Sequence, residues 1–184
     1  MGLSLESMAI VMPTVHGHPN RAGFRGVLTI VDVASDKSPS GARGHRVLLT
    51  RRAAEAAIPS LMGMGLDYSP ALDRHDAQRK IGVITRAEIV GRMIEVGGFL
   101  YARDFPEIVA EIGRPGRTDT SVSAGAARNV RGNRAGLGMS YEITDALVED
   151  IKASVWVLNR VTFTGAAVLR RDKAAYCSTW IELG

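Results

Sequence analysis

Ser140 is the side chain from which chemistry can be read most directly. It lies in Leu137-Gly138-Met139-Ser140-Tyr141-Glu142-Ile143, where apolar residues alternate with glycine, serine and glutamate. Period-two alternation predicts a strand, with Leu137, Met139, Tyr141 and Ile143 on one face and Gly138, Ser140 and Glu142 on the other. A glycine just ahead of the serine permits close approach by another backbone or a substrate. A serine hydroxyl is a weak nucleophile until a base takes its proton, and histidine is the usual base near neutral pH. Of the four histidines, His75 stands out. It sits in the polar tetrad Asp73-Arg74-His75-Asp76 at the entrance to a strand, where a side chain can be exposed yet held. His16, His18 and His45 lie in loop-like surroundings. His16 and His18 have the look of a metal pair, but no third acidic or sulfur ligand is close in sequence, so they read as loop residues. Taken singly, Ser140 reads as an ordinary strand hydroxyl and His75 as a surface residue in a charged turn; it is the order of the pieces together that points further.

The elements that must position these two side chains come next. Met8 to Met12 is a short apolar run ended by Pro13, and Thr14 to Gly23 reads as loop. Phe24 to Val33 is β-branched and alternating, a strand. Ser35 to Gly44 is a loop, and Val47 to Leu49 a short strand. Thr50 is placed to cap a helix over Arg51 to Met62, which Pro59 should kink or end. Met62 and Met64 read as packing residues. Leu66 to Leu72 should be extended. Lys80 to Ile84 and Ala87 to Val90, then Arg92 to Tyr101, form a hairpin with Gly91 in the turn. Asp104-Phe105-Pro106-Glu107 reads as a helix start. That helix runs to Ile112, stops at Gly113, and carries Phe105, Ile108, Val109 and Ile112 on one face.

Gly113 to Gly136 holds Arg114, Arg117, Arg128, Arg131 and Arg134 against the single acid Asp119. Long loops of this kind are functional or disordered. It reads either as a solvated flexible excursion or as a basic flap beside the serine. Beyond the Ser140 strand and a polar segment, Ala153 to Thr164 is a further strand. Ala166 to Leu169 and Ser178 to Leu183 are short apolar runs separated by the charged turn Arg170-Arg171-Asp172-Lys173. Many strands, few helices and no βαβ alternation predict a mainly β chain with peripheral helices, an α+β arrangement built as a closed or nearly closed β-barrel. No repeat or second domain is visible in residues 1–184.

Bulk properties bound the function classes. A chain of 184 residues with 46% hydrophobic and 23% charged residues has an ordinary globular balance. No apolar run approaches the roughly 20 residues of a membrane span. Met1 to Pro13 carries Glu6 and no lysine or arginine, unlike a secretory signal. Cys177 is the single cysteine, which excludes an internal disulfide framework and a thiolate cluster and makes a reducing, intracellular setting the default. The net charge of +4 is mild and does not by itself argue nucleic-acid binding. The arginine-rich loop also lacks an aromatic residue for stacking on bases.

The order of the pieces adds a resemblance. Arg74-His75-Asp76 leads into Ile81-Gly82-Val83-Ile84. Ile94-Glu95-Val96-Gly97-Gly98-Phe99-Leu100 follows, then Leu137 to Ile143, then Val161-Thr162-Phe163-Thr164-Gly165-Ala166-Ala167-Val168. Over about Leu66 to Tyr176 this order resembles the prohead maturation proteases of tailed bacteriophages, serine peptidases related in fold to the herpesvirus assembly protease, assemblin. The resemblance implies an assemblin-type barrel with Ser140 as nucleophile and His75 as general base. The family places a histidine or an acid on the strand after the serine, where this chain offers Asn159 and Thr162. The orienting group is therefore one of these weaker polar residues, or comes from elsewhere, with Asp76 and Asp172 as candidates. Arg170 and Arg171 fall where the herpesvirus enzymes carry an arginine pair that stabilises the oxyanion. The implied function is cleavage of scaffolding protein, of the amino-terminal part of the major capsid protein, or of the chain itself. The setting would be the immature capsid in the host cytoplasm, with no metal or organic cofactor. A homodimer or higher assembly is implied by the resemblance alone. The alternative is a catalytically silent barrel that binds capsid or scaffold partners.

Overall fold

The computed structural model describes residues 7–13, 16–114 and 136–184. The strands are β1 (Ser7–Ala9), β2 (Arg21–Ile30), β3 (Arg46–Leu49), β4 (Gly65–Asp67), β5 (Lys80–Val90), β6 (Met93–Tyr101), β7 (Leu137–Val148), β8 (Val155–Arg170) and β9 (Trp180–Leu183). They make one sheet in the order β3-β8-β4-β5-β6-β2-β9, with β1 added on β5 and β7 on β8. Two short helices, α1 (Arg51–Ala57) and α2 (Pro106–Gly113), complete the elements used below. No helix among the described residues is long and apolar enough to cross a membrane.

The mainly β, α+β expectation holds, but the closed or nearly closed barrel is corrected. The sheet curls into half a barrel and stays open. Across the gap, the described residues supply two single bridges, Val31 with Leu49 and Ala34 with Leu48. Two local causes are visible. β9 already occupies the edge of β2 over Phe24 to Val27, and Asp32, in the left-handed region at φ 56°, turns the chain out of line just after Val31. β3 therefore meets β2 at its very end, too late for a continuous ladder.

The long strand β8 is the spine of the functional half. It pairs in parallel with β3 and β4 and antiparallel with β7. From sequence it divides at Gly165, yet it runs unbroken. Glu142 lies across that glycine, where a Cβ would come 2.7 Å from its Oε2. Likewise β5 is continuous where two runs were expected, and the irregularity falls as a register shift between Ile84 and Arg86. The β5–β6 hairpin turns at Gly91, with φ 61°. The apolar residues of these strands, among them Leu28, Leu66, Ile81, Ile84, Ile94, Leu100 and Phe163, are fully buried in one core.

Both helices cover this core. Thr50 caps α1 by accepting the Ala53 N–H, and Pro59 falls in a 3-10 turn after the helix ends. The expected cap of α2 is not made. Phe105 occupies the cap position without a side-chain bond, because the Asp104 carboxylate takes the Asn20 amide at 2.7 Å. Ile108 and Ile112 of α2 are buried as its periodicity required. Of the stretch 113–136, residues 115–135 lie outside the described residues, and so does its reading as a basic flap.

Candidate active site

Ser140 and His75, 65 residues apart in the chain, meet: His75 Nε2 lies 3.2 Å from Ser140 Oγ. The sheet register explains how. Ser140 of β7 is opposite Ala167 of β8, and Asp67 of β4 is opposite the same alanine on its other side. Lateral neighbours in a sheet project to the same face, so Asp67 and Ser140 flank Ala167 on one surface. Leu66, Ala166 and Tyr141 point into the core side instead. Two strand spacings separate Asp67 from Ser140, about 10 Å. The imidazole of His75 spans that gap over the fully buried Ala167. Its Nδ1 is 3.6 Å from Asp67 Oδ1 and 3.9 Å from Glu142 Oε1.

His75 is carried by the connection between β4 and β5, and that connection is pinned on both sides of it. On one side Ser69 Oγ donates to Asp73 Oδ1 at 2.8 Å and accepts the Asp73 N–H at 3.2 Å. Leu72, at φ 53°, gives its N–H to Ser69 O, and its carbonyl accepts the Arg170 N–H at 2.7 Å. On the other side the Asp76 N–H donates to Asp67 Oδ1 at 3.1 Å. The histidine thus sits between an anchor on β8 and an anchor on β4, the two strands whose register it bridges. Its side chain keeps 16% of its surface exposed.

Asp67 is 1% exposed and is the buried charge of the site. Its Oδ2 pairs with Lys80 Nζ at 2.9 Å. Burial alone pushes its carboxyl up, and that is the largest single effect. The His75 imidazole, the Lys80 ammonium and the Asp76 N–H together outweigh it and hold the group below the ordinary carboxylate range. Gly65 opens the lane for Lys80, since a Cβ there would stand 2.9 Å from Lys80 Cδ. Next to Asp67, the Tyr68 hydroxyl donates to Glu107 Oε1 at 2.6 Å and ties α2 to this edge of the site.

The glycine ahead of Ser140 has a definite partner. A Cβ on Gly138 would lie 2.7 Å from Thr179 Oγ1 and 3.4 Å from the Arg171 α-carbon. Thr179, 1% exposed, accepts the Met139 N–H at 3.2 Å and donates to Tyr176 O at 2.9 Å. Close approach at Gly138 is therefore by the protein's own chain, and it fixes the backbone two residues before Ser140.

The remaining sequence candidates fall as follows. Asn159 is exposed and donates to Glu149 at 3.4 Å, and Thr162 is opposite Thr144, well down the β7–β8 ladder. Neither is brought to His75. Asp76 accepts the Gln78 N–H and pairs with Arg79, and Asp172 takes both donors of Arg170. That guanidinium brings the Asp172 carboxyl down to about 2. Arg171 donates its N–H to Gly136 O at 2.8 Å and packs its α-carbon on Gly138, so it stands beside the Ser140 strand, while Arg170 is engaged by Asp172. His18 accepts the Asn20 N–H through Nδ1. His45 stacks on Trp156 at 4.6 Å. Among the described residues no group of three or more His, Cys, Asp or Glu gathers to hold a metal. Cys177 is exposed.

The two carboxylates that face Nδ1 were not singled out as its partners from sequence. Glu142 carried a signal, because period-two alternation already put it on the Ser140 face. Asp67 carried a fainter one: an acid directly after buried Leu66 in a strand must find partners of its own. No protein-family model matches this chain, and no match is found among the curated proteins. What the site can do follows from its own residues: an imidazole placed to accept a proton from a serine hydroxyl, with the buried Asp67 carboxylate behind it, an arrangement suited to acyl transfer.

Proposed function

We propose that the chain is a serine endopeptidase of capsid maturation. The observation that carries the reading is the 3.2 Å approach of His75 Nε2 to Ser140 Oγ on a partly open surface. In this reading Ser140 Oγ attacks the carbonyl carbon of a peptide bond while its proton passes to His75 Nε2. The tetrahedral intermediate collapses as the C–N bond breaks, and Nε2 returns the proton to the departing amine. Water, deprotonated by the same nitrogen, then attacks the acyl carbon; the ester bond to Ser140 breaks and Nε2 returns the proton to Oγ. The positive charge of Arg171, beside the Ser140 strand, would meet the oxyanion.

The nature of the substrate rests on the resemblance in motif order. The expected substrates are scaffolding protein and the amino-terminal part of the capsid protein, inside an immature shell. What supports the reading is a serine on a sheet face with a histidine beside it on a pinned connection. The test is proteolysis. Wild-type chain, incubated with phage scaffolding and capsid proteins as candidate substrates, should yield discrete fragments whose new termini are mapped by mass spectrometry. Ser140→Ala should yield none. Intact substrates with wild-type protein, under conditions where Ser140 reacts with an activated ester, would retain a serine hydrolase but remove the capsid substrate.

A further inference from the structure

We infer that Asp67 is the positioning residue of this site, the carboxylate that fixes the His75 ring with its proton on Nδ1 and its lone pair on Nε2 toward Ser140. The inference rests on the Ser–His reading above and names a part that motif order assigned to β8. β8 cannot supply it, because the residue it presents between Ser140 and Asp67 is Ala167.

The choice lies between two carboxylates, since His75 Nδ1 is buried and has no partner within hydrogen-bond distance. Asp67 Oδ1 is 3.6 Å away and Glu142 Oε1 3.9 Å. A movement of a few tenths of an ångström makes either bond, and unliganded sites are commonly this loose. What separates them is how each is held. Glu142 is 52% exposed on a long side chain that reaches back across Gly165. To orient the ring it must give up rotamer freedom and trade water for the imidazole. Asp67 is 1% exposed, and both of its oxygens are already fixed, one by the Asp76 N–H and one by Lys80. It has lost its freedom on folding and retains an acceptor lone pair on Oδ1 facing the ring. The Asp76 N–H bond does a second thing. It ties the residue next to His75 to the same oxygen the ring needs, so that histidine and carboxylate move together.

Lys80 makes the arrangement affordable in a buried place. A lone carboxylate there would meet a large desolvation cost. With the ammonium 2.9 Å away the carboxylate stays ionised, and it can stabilise the imidazolium that forms when Nε2 takes the serine proton. Asp67 itself takes no proton in the cycle.

The experiment combines ring-nitrogen NMR on full-length chain labelled with 15N-histidine and the rate of Ser140 modification by a fluorophosphonate. In wild type the neutral His75 ring should show Nδ1–H and an unprotonated Nε2. Asp67→Asn should move the proton to Nε2, because its amide can donate to Nδ1, and slow Ser140 modification about 10²- to 10⁴-fold. Glu142→Gln should preserve the tautomer and hold the rate within about threefold. An Nε2–H ring in wild type overturns the inference without any variant, which covers the case that Asp67→Asn does not fold. So does loss of the Nδ1–H ring in Glu142→Gln but not in Asp67→Asn. If wild-type Ser140 is unreactive while the ring is Nδ1–H and switches in Asp67→Asn, the positioning stands and the hydrolase reading falls. If Ser140 reacts at equal rates in wild type and Asp67→Asn, the hydrolase stands and the positioning falls.

Discussion

Gly138→Ala should destabilise the protein, although the backbone there is not in the left-handed region that demands glycine. In an open strand position the same change would stabilise by about 0.4–1 kcal/mol through the unfolded state, so the sign of the effect is diagnostic. The new methyl would meet Thr179 Oγ1 at 2.7 Å. That oxygen belongs to a short, 1% exposed side chain and cannot swing into solvent. Moving it breaks its bonds to the Met139 N–H and Tyr176 O, worth about 0.5–1.5 kcal/mol each. Residual overpacking adds about 1–3 kcal/mol. Set against the unfolded-state gain, the net loss is about 1–6 kcal/mol, a fall in Tm of about 2–20 °C for a chain of this size. Thermal and urea unfolding read the effect. A Thr179→Ala background removes the oxygen the methyl strikes, so Gly138→Ala should cost at least about 1 kcal/mol less there. An unchanged or raised Tm for Gly138→Ala, or strict additivity with Thr179→Ala, would refute the idea that Thr179 fixes the strand ahead of Ser140.

Two further outcomes follow from the same geometry. Ala167→Leu puts a branched side chain where the imidazole lies between Asp67 and Ser140. It should slow Ser140 modification at least about 100-fold, and unfolding together with the His75 ring resonances will show whether the fold persists while the ring is displaced. Acid stability should report Asp67. Its folded carboxyl titrates below its unfolded value, so the stability it contributes is fully present above about pH 4 and is lost as pH falls through the folded value. The stability of wild type should therefore fall more steeply below about pH 4 than that of Asp67→Asn. Parallel curves would show that Asp67 is not held ionised by its neighbours.

Much of this was legible in the chain. Alternation at 137–143 gave the strand and the face that Ser140 and Glu142 share, because burial of one side of a sheet imposes period two. The polar tetrad gave His75 as the base candidate. Thr50, Gly91 and Pro59 marked a cap, a turn and a helix end through local chemistry, and each acts as its backbone preference requires. What could not be read was lateral. That Asp67 and Ser140 straddle Ala167 depends on a parallel pairing of β4 with β8 and an antiparallel pairing of β7 with β8. No sequence spacing encodes either pairing. The same blindness led from many strands to a closed barrel, since Asp32 and the capture of the β2 edge by β9 act only once strands are side by side. Gly165 misled for the opposite reason. It reads as a breaker, but in place it makes room for the Glu142 side chain.

The most direct measurement is intact-mass analysis of the purified chain after reaction with a fluorophosphonate, with the adduct mapped to its residue. A single adduct on Ser140 is predicted, absent in Ser140→Ala and formed at least about 10³-fold more slowly in His75→Ala. An unmodified wild-type chain, or a Ser140 that reacts equally fast without His75, would contradict it.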